Sequence, residues 1–285
     1  MTNNLRLTKQ YTLNNDVELD LNGHTLNSTI SAPLLMVKGK VSVKGGNVST
    51  KGQFAQVKDG GEITIENGTY TTSAADVIRL GTNGTAIVNG GELTGREGAI
   101  ACRDGGSTII VNGGTLVGTD NYAIATNGSN GMGGNRITIN DGTFEGNIQS
   151  AGYEAIGIYV ANNDVFVMNG GSVVANGGTG ICMRAGDVTI NGGSITATNV
   201  DKNGNVVADG KIGDDSTVMT GCSAVIFHET SNYPGQTQGE MKLTVNGGTI
   251  TGVDHSIQVL SNAEEPKVYV TGGTLTPVYP EPAGN

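Results

Sequence analysis

The chain has 285 residues, of which 47 are glycine and six proline, and it contains no tryptophan. Its 26 acidic against 16 basic residues give a formal net charge of −10, which disfavours nucleic-acid phosphates and anionic membranes as partners. No apolar run approaches the ~20 residues needed to cross a bilayer, so no membrane insertion is expected.

The opening stretch, Met1-Thr2-Asn3-Asn4-Leu5-Arg6, is polar and lacks the basic and apolar regions of a secretion leader. Residues 1–16 read as an N-terminal cap. Leu5, Leu7, Tyr11 and Leu13 are its apolar members, suited to covering an otherwise open sheet end. From 17 to 276 one phrase recurs ten times without a break in composition, so this span reads as one domain. In its clearest form it is Val188-Thr189-Ile190-Asn191-Gly192-Gly193-Ser194-Ile195. The residue before the glycine pair falls at Asn22, Lys44, Glu66, Asn89, Asn112, Asn140, Asn169, Asn191, Asn246 and Thr271. The intervals are 22, 22, 23, 23, 28, 29, 22, 55 and 25 residues, the period of one coil of a parallel β-solenoid.

Apolar residues stand three and one positions before this marker, as in Ile63/Ile65, Ile109/Val111 and Val188/Ile190. A period of two with one apolar face is a half-buried strand. Four positions after the marker a second apolar column begins another strand, with Leu93, Leu116, Phe144 and Ile195 among its members. A third segment follows, for example Ala99-Ile100-Ala101-Cys102 and Gly180-Ile181-Cys182-Met183. Three strands per coil predict three parallel sheets around a narrow core, and ten coils predict a rod about 45–50 Å long. Asn89, Asn112, Asn140, Asn169, Asn191 and Asn246 share one column, which predicts a structural amide ladder at a buried bend.

The repeat is interrupted at Asn127–Asn135, Glu145–Glu154, Asn199–Gly221 and His228–Glu240, so the 55-residue interval reads as one coil with two insertions. Loops on a rigid scaffold are where binding usually sits. Tyr153, Asp214, Asp215, His228 and Tyr233 in these loops form the candidate binding patch. The tail, 277–285, carries Pro277, Pro280 and Pro282 and is expected to end the stacking.

Cys102, Cys182 and Cys222 are an odd, widely spaced set, without disulfide or zinc-ligand spacing. They read as small buried or semi-buried thiols in a protein made in a reducing cytosol. Asp59-Gly60-Gly61 and Asp104-Gly105-Gly106 lack the nonapeptide period of calcium-binding repeats, and no phosphate-binding loop occurs, so neither metal nor cofactor is expected. Arg79, Arg103 and Arg184 fall near third-strand positions, with no clear acidic cluster beside them in the sequence. No residue is assigned as catalytic.

The column pattern and the opening Asp20-Leu21-Asn22-Gly23-His24-Thr25-Leu26 resemble the pectate-lyase-like right-handed parallel β-helix superfamily over nearly the whole chain. The resemblance implies an all-β, right-handed parallel β-helix: a three-sheet solenoid of about ten coils. That superfamily includes lyases, hydrolases, adhesins and tail spikes, so fold alone does not choose among them. The Gly-His-Gly and Arg-Ile-Lys motifs of the resembling pectin hydrolases do not occur here. The expectation is a non-enzymatic structural or attachment component of a phage virion: a capsid decoration, head fibre or tail-appendage subunit. Its partners would be other virion proteins or copies of itself, with a trimer expected from the resemblance to β-helical spikes. It would be made in the host cytoplasm and incorporated in the virion, where it can meet cell-surface polysaccharide. The alternatives are a bacterial surface adhesin or carbohydrate-binding module, and a polysaccharide depolymerase, lyase or hydrolase, with Asp214-Asp215 as its carboxylate pair.

Overall fold

A computed structural model describes residues 3–148, 155–207, 222–227, 240–259 and 266–277. The described chain is built from strands alone, which alternate between three sheets in strict order around each coil. Sheet A has eleven strands, from Leu5–Leu7 to Thr274–Pro277. Sheet B has ten, from Tyr11–Leu13 to Ile257–Val259, and sheet C has ten, from Val17–Asp20 to Lys267–Val270. Every strand between the first and last of its sheet pairs in parallel with its equivalent one coil before and one coil after, for example Ile109 with Ala86 and Ile137. This is a right-handed parallel β-helix, the hand that twisted parallel strands favour for their crossovers.

The core follows from the period of two. In the strand Thr108–Val111, Ile109 and Val111 are buried while Thr108 and Ile110 are half-buried. Stacked coils turn each inward position into an interior stripe. Ile63, Ala86, Ile109, Ile137, Phe166, Val188 and Leu243 make one such stripe in a single continuous cluster. Aromatic rings join the core, with Phe54 and Tyr70 packed at 5.2 Å between centroids.

Corners from sheet C to sheet A are the tightest. Gly114 there has φ +97°, and a Cβ on it would lie 2.6 Å from the Gly91 carbonyl oxygen one coil away. Only glycine allows both the left-handed backbone and that approach. The long 55-residue interval is one coil, because Met241–Val245 pairs directly with Gly186–Ile190 and Val225–Phe227 with Ile181–Met183.

The first coil is registered differently from the marker column read in the sequence. Lys44 pairs with Asp20, not Asn22, so the first interval is two residues longer. The extra length forms the turn Leu21–His24, in which Asp20 Oδ1 accepts from the Asn22 amide at 2.8 Å and Asn22 has φ +47°. Within the segment read as a cap, Leu5–Leu7 and Tyr11–Leu13 pair with Leu26–Ser28 and Leu35–Val37 as ladder strands. Residues 278–285 lie outside the described chain.

The marker column forms a hydrogen-bonded chain. Asn89 Nδ2 donates to Glu66 Oε2 at 2.8 Å, Asn112 to Asn89 at 2.8 Å and Asn140 to Asn112 at 2.7 Å. Asn169 donates to Asn140, Asn191 to Asn169 and Asn246 to Asn191, each at 2.9 Å. Thr271 Oγ1 closes the series on Asn246 Oδ1 at 2.9 Å. The column is exposed to solvent, not at a buried bend: the buried positions alternate with it on the strands, and the amides line the outside of the corner. Its bonds therefore hold adjacent corners in register and satisfy no core group. Asn112→Leu removes one donated and one accepted bond, and we predict a stability loss of about 1–2 kcal/mol, read as a lower urea midpoint at unchanged slope. Identical midpoints would deny the ladder any energetic role.

Candidate functional site

The lengths of the corners locate the variable side of the rod. Eight successive corners from sheet C to sheet A, from 66–68 to 271–273, have three residues each. Corners from A to B range from residue 177 alone to 199–224, and those from B to C range from 38–39 to 228–240. Every large interruption of the repeat thus enters or leaves a strand of sheet B. The outer face of that sheet also carries apolar packing. Ala101, Ala125, Cys182 and Ile226 lie between inward-facing neighbours on their strands, yet they are buried in a cluster with Tyr122 and Ile156.

A charged corner borders this face where three coils meet. Asp76, in the turn before Ile78–Leu80, is fully buried. It accepts from Arg79 Nη2 at 3.0 Å, Arg79 Nε at 3.3 Å, Arg103 Nη2 at 3.4 Å and the Tyr122 hydroxyl at 3.1 Å. Arg103 Nη2 also donates to the Tyr122 oxygen at 2.9 Å, so the phenol accepts from one partner while donating to the other. Glu97 lies across both guanidiniums, 3.5 Å from Arg79 and 3.3 Å from Arg103. Burial, reinforced by the Asp76 charge, raises the Tyr122 hydroxyl well above its ordinary range, which keeps it protonated and donating. The Tyr122 ring packs over Gly98, where a Cβ would lie 2.3 Å from a ring carbon.

Stacking brings these groups together, since Arg79 and Arg103 come from successive coils and Tyr122 from the next. The acidic company that the sequence did not reveal for Arg79 and Arg103 is Asp76 and Glu97. Arg184 stands apart: it is buried, with its guanidinium carbon 5.9 Å from the centre of the Tyr159 ring. With four donor groups on it, Asp76 holds the two arginines and the tyrosine in place. Arg79, Arg103 and Glu97 have side chains 28%, 41% and 42% exposed, so the rim offers planar donors beside an acceptor. That combination suits a hydroxyl-rich or anionic ligand.

At the corner from B to C a buried polar stack replaces glycine. The Ser107 amide donates to Asn135 Oδ1 at 2.9 Å, and the Asn135 amide donates to Asp164 Oδ1 at 2.8 Å. All three residues are fully buried, and Asp164 Oδ2 has no hydrogen bond. Burial pushes the Asp164 carboxyl up from 3.8 to about 6, against the pull of the Asn135 donors. Burial, with the Asp164 charge added, also raises the nearby Cys102 thiol.

Tyr153, Asp214, Asp215, His228 and Tyr233, the candidate patch, lie outside the described residues. Of the two Asp-Gly-Gly sites, Asp59 pairs with Lys38 at 2.9 Å and Asp104 Oδ2 accepts from the Thr82 amide at 3.2 Å. Among the described residues no three His, Cys, Asp or Glu side chains gather as metal ligands. Comparison with protein-family models, curated proteins and solved structures found no match to the chain.

Asp164 makes a pH prediction. Between about pH 4 and pH 6 the folded chain keeps a proton that the unfolded chain has released, so stability falls as pH rises through that window and levels off above it. The contribution is about 3 kcal/mol at most. Asp164→Asn should be the more stable protein at about pH 7.5 and should lose this part of the pH dependence, read from urea midpoints at about pH 4.5 and 7.5. A wild-type protein and variant with parallel pH profiles would contradict the assignment.

Proposed function

We propose that the protein is a non-enzymatic structural or attachment rod in a larger assembly. The assembly is a phage virion, with the chain as a capsid decoration, head fibre or tail-appendage subunit of the pectate-lyase-like β-helix type. The observation that carries this reading is the division of labour between corners. The corner from C to A is held to three residues in eight successive coils, while all large insertions flank sheet B. Such a design keeps one side of the rod as an unvarying spine and leaves the other to contacts. Other virion proteins, or copies of this chain, are the partners expected on the outer face of sheet B.

A second reading, a surface adhesin or carbohydrate-binding module, is favoured by the Arg79–Glu97–Arg103 rim, whose exposed donors and acceptor match sugar hydroxyls. Particle purification separates the two. The particle reading predicts that the protein bands with assembled virions at a fixed copy number and resists high-salt washing. A chain absent from purified particles, yet retained on a glycan array through Arg79 and Arg103, would overturn it in favour of the second reading. Release of reducing ends or unsaturated sugars from capsule would overturn both.

A further inference from the structure

We infer that the rod stacks head-to-tail on a second copy of itself. The end formed by Ile257–Val259, Lys267–Val270 and Thr274–Pro277 meets the end formed by Leu5–Leu7, Tyr11–Leu13 and Val17–Asp20. The first observation is where exposed apolar residues gather. Phe227, Leu243, Val245 and Ile250 are fully buried interior residues. Their partners one coil further on, Val259, Val268, Val270 and Leu275, are 47%, 39%, 49% and 37% exposed. Among the described residues, the interior stripes therefore run out onto an exposed apolar face. At the opposite end Leu5 is 41% exposed and Leu7, Tyr11, Leu13, Val17 and Leu19 are only partly buried.

The two faces match column by column. Leu275 belongs to the stripe that begins with Leu5, and Val268 and Val270 belong to those of Val17 and Leu19. Ile257 and Val259 continue the stripes of Tyr11 and Leu13. A second copy placed one coil-step beyond the last coil thus sets apolar side chains on apolar side chains in the register used throughout the molecule. The backbone agrees. Among the described residues, the last strand and the first strand of each sheet have one unpaired edge. Head-to-tail stacking continues all three sheets in parallel, whereas a two-fold tail-to-tail contact reverses the strand direction and the order of sheets around the coil.

Lys267, half exposed at the C-terminal edge and bonded to Glu240, lies in the column that begins with Lys40, whose amide binds Asp16 Oδ1 at 3.1 Å. In the stack this ion pair comes to lie next to Asp16 of the next copy. The net charge of −10 opposes association at long range, so physiological ionic strength, which screens it, is the right condition. A head-to-tail contact has different surfaces on its two sides, so growth continues until an end is blocked. The inference rests on the two ends alone and does not need the particle reading.

The test is a complementation of blocked ends in the full chain, read by sedimentation and light scattering across protein concentration. Leu5→Glu blocks one end and Val270→Glu the other. Both residues are already 41% and 49% exposed, so circular dichroism should show the wild-type strand signal in each variant. The wild-type mass should rise with concentration in whole multiples of the chain. Each variant alone should stay at single-chain mass, and an equimolar mixture should double in mass and stop. A wild-type protein that stays monomeric up to its solubility limit overturns the inference. So does self-association of Leu5→Glu alone, which indicates a tail-to-tail contact, and so does a mixture that fails to double.

Discussion

The close stacking of three-residue corners between sheets C and A is the constraint on which the molecule depends. Successive strands lie about 4.8 Å apart only if every coil turns at the same place with no side chain in the way. Gly114 meets that demand at φ +97°, with its α-carbon turned toward the Gly91 carbonyl. Once that corner is fixed, the alternating apolar residues of each strand must fall on those of the coil below. The interior stripes, the parallel ladders and the exposed chain of amides from Glu66 to Thr271 all follow. Each asparagine bond is modest, but the chain is oriented in one direction, and polarised neighbours reinforce one another.

The other two corners are released from this constraint, and polar chemistry collects there. Where the corner from A to B lengthens, Asp76 is drawn out of solvent and gathers two arginines and a tyrosine from three coils. A buried carboxylate with four donors is well compensated, and removing any one partner leaves charge or hydrogen-bonding capacity stranded. The corner from B to C solves the same problem less completely: Asp164 Oδ2 has no hydrogen bond, and burial makes its carboxyl hold its proton more tightly despite the Asn135 donors. The spine and the variable face are two sides of one design. The first fixes geometry, and the second spends the resulting rigidity on positioned side chains.

The architecture was legible because it is written with periods. Residues such as Ile137/Ile139 and Phe144 mark strands by alternation, and the repeated asparagine marks the corner from C to A. Two things escaped. The first coil slipped by two residues, because Asn22-Gly23-His24 imitates the repeated phrase while Asp20 takes the column with Lys44. The charged corner was hidden because Tyr122 and Asp76 are 46 residues apart, and their meeting depends on two corner lengths that vary from coil to coil. The signal available was an aspartate and an arginine three apart, at 76 and 79. The ladder residues were readable in sequence while their setting was not, since a polar column is equally compatible with a buried or an exposed bend.

The fold rests on in-register stacking of the coils, and paired cysteines on the outer face of sheet A probe that register. Val117 pairs with Glu145, and Glu145 pairs with Val174. Neighbouring coils put Val117→Cys and Glu145→Cys within disulfide reach, whereas Val117→Cys and Val174→Cys stand about 10 Å apart, two strand spacings. The three native cysteines are buried and leave mass spectrometry of the mild oxidation products unambiguous. An intramolecular bridge is expected in the first pair and none in the second. A bridge between 117 and 174, or none between 117 and 145, would contradict the stacked, in-register coil.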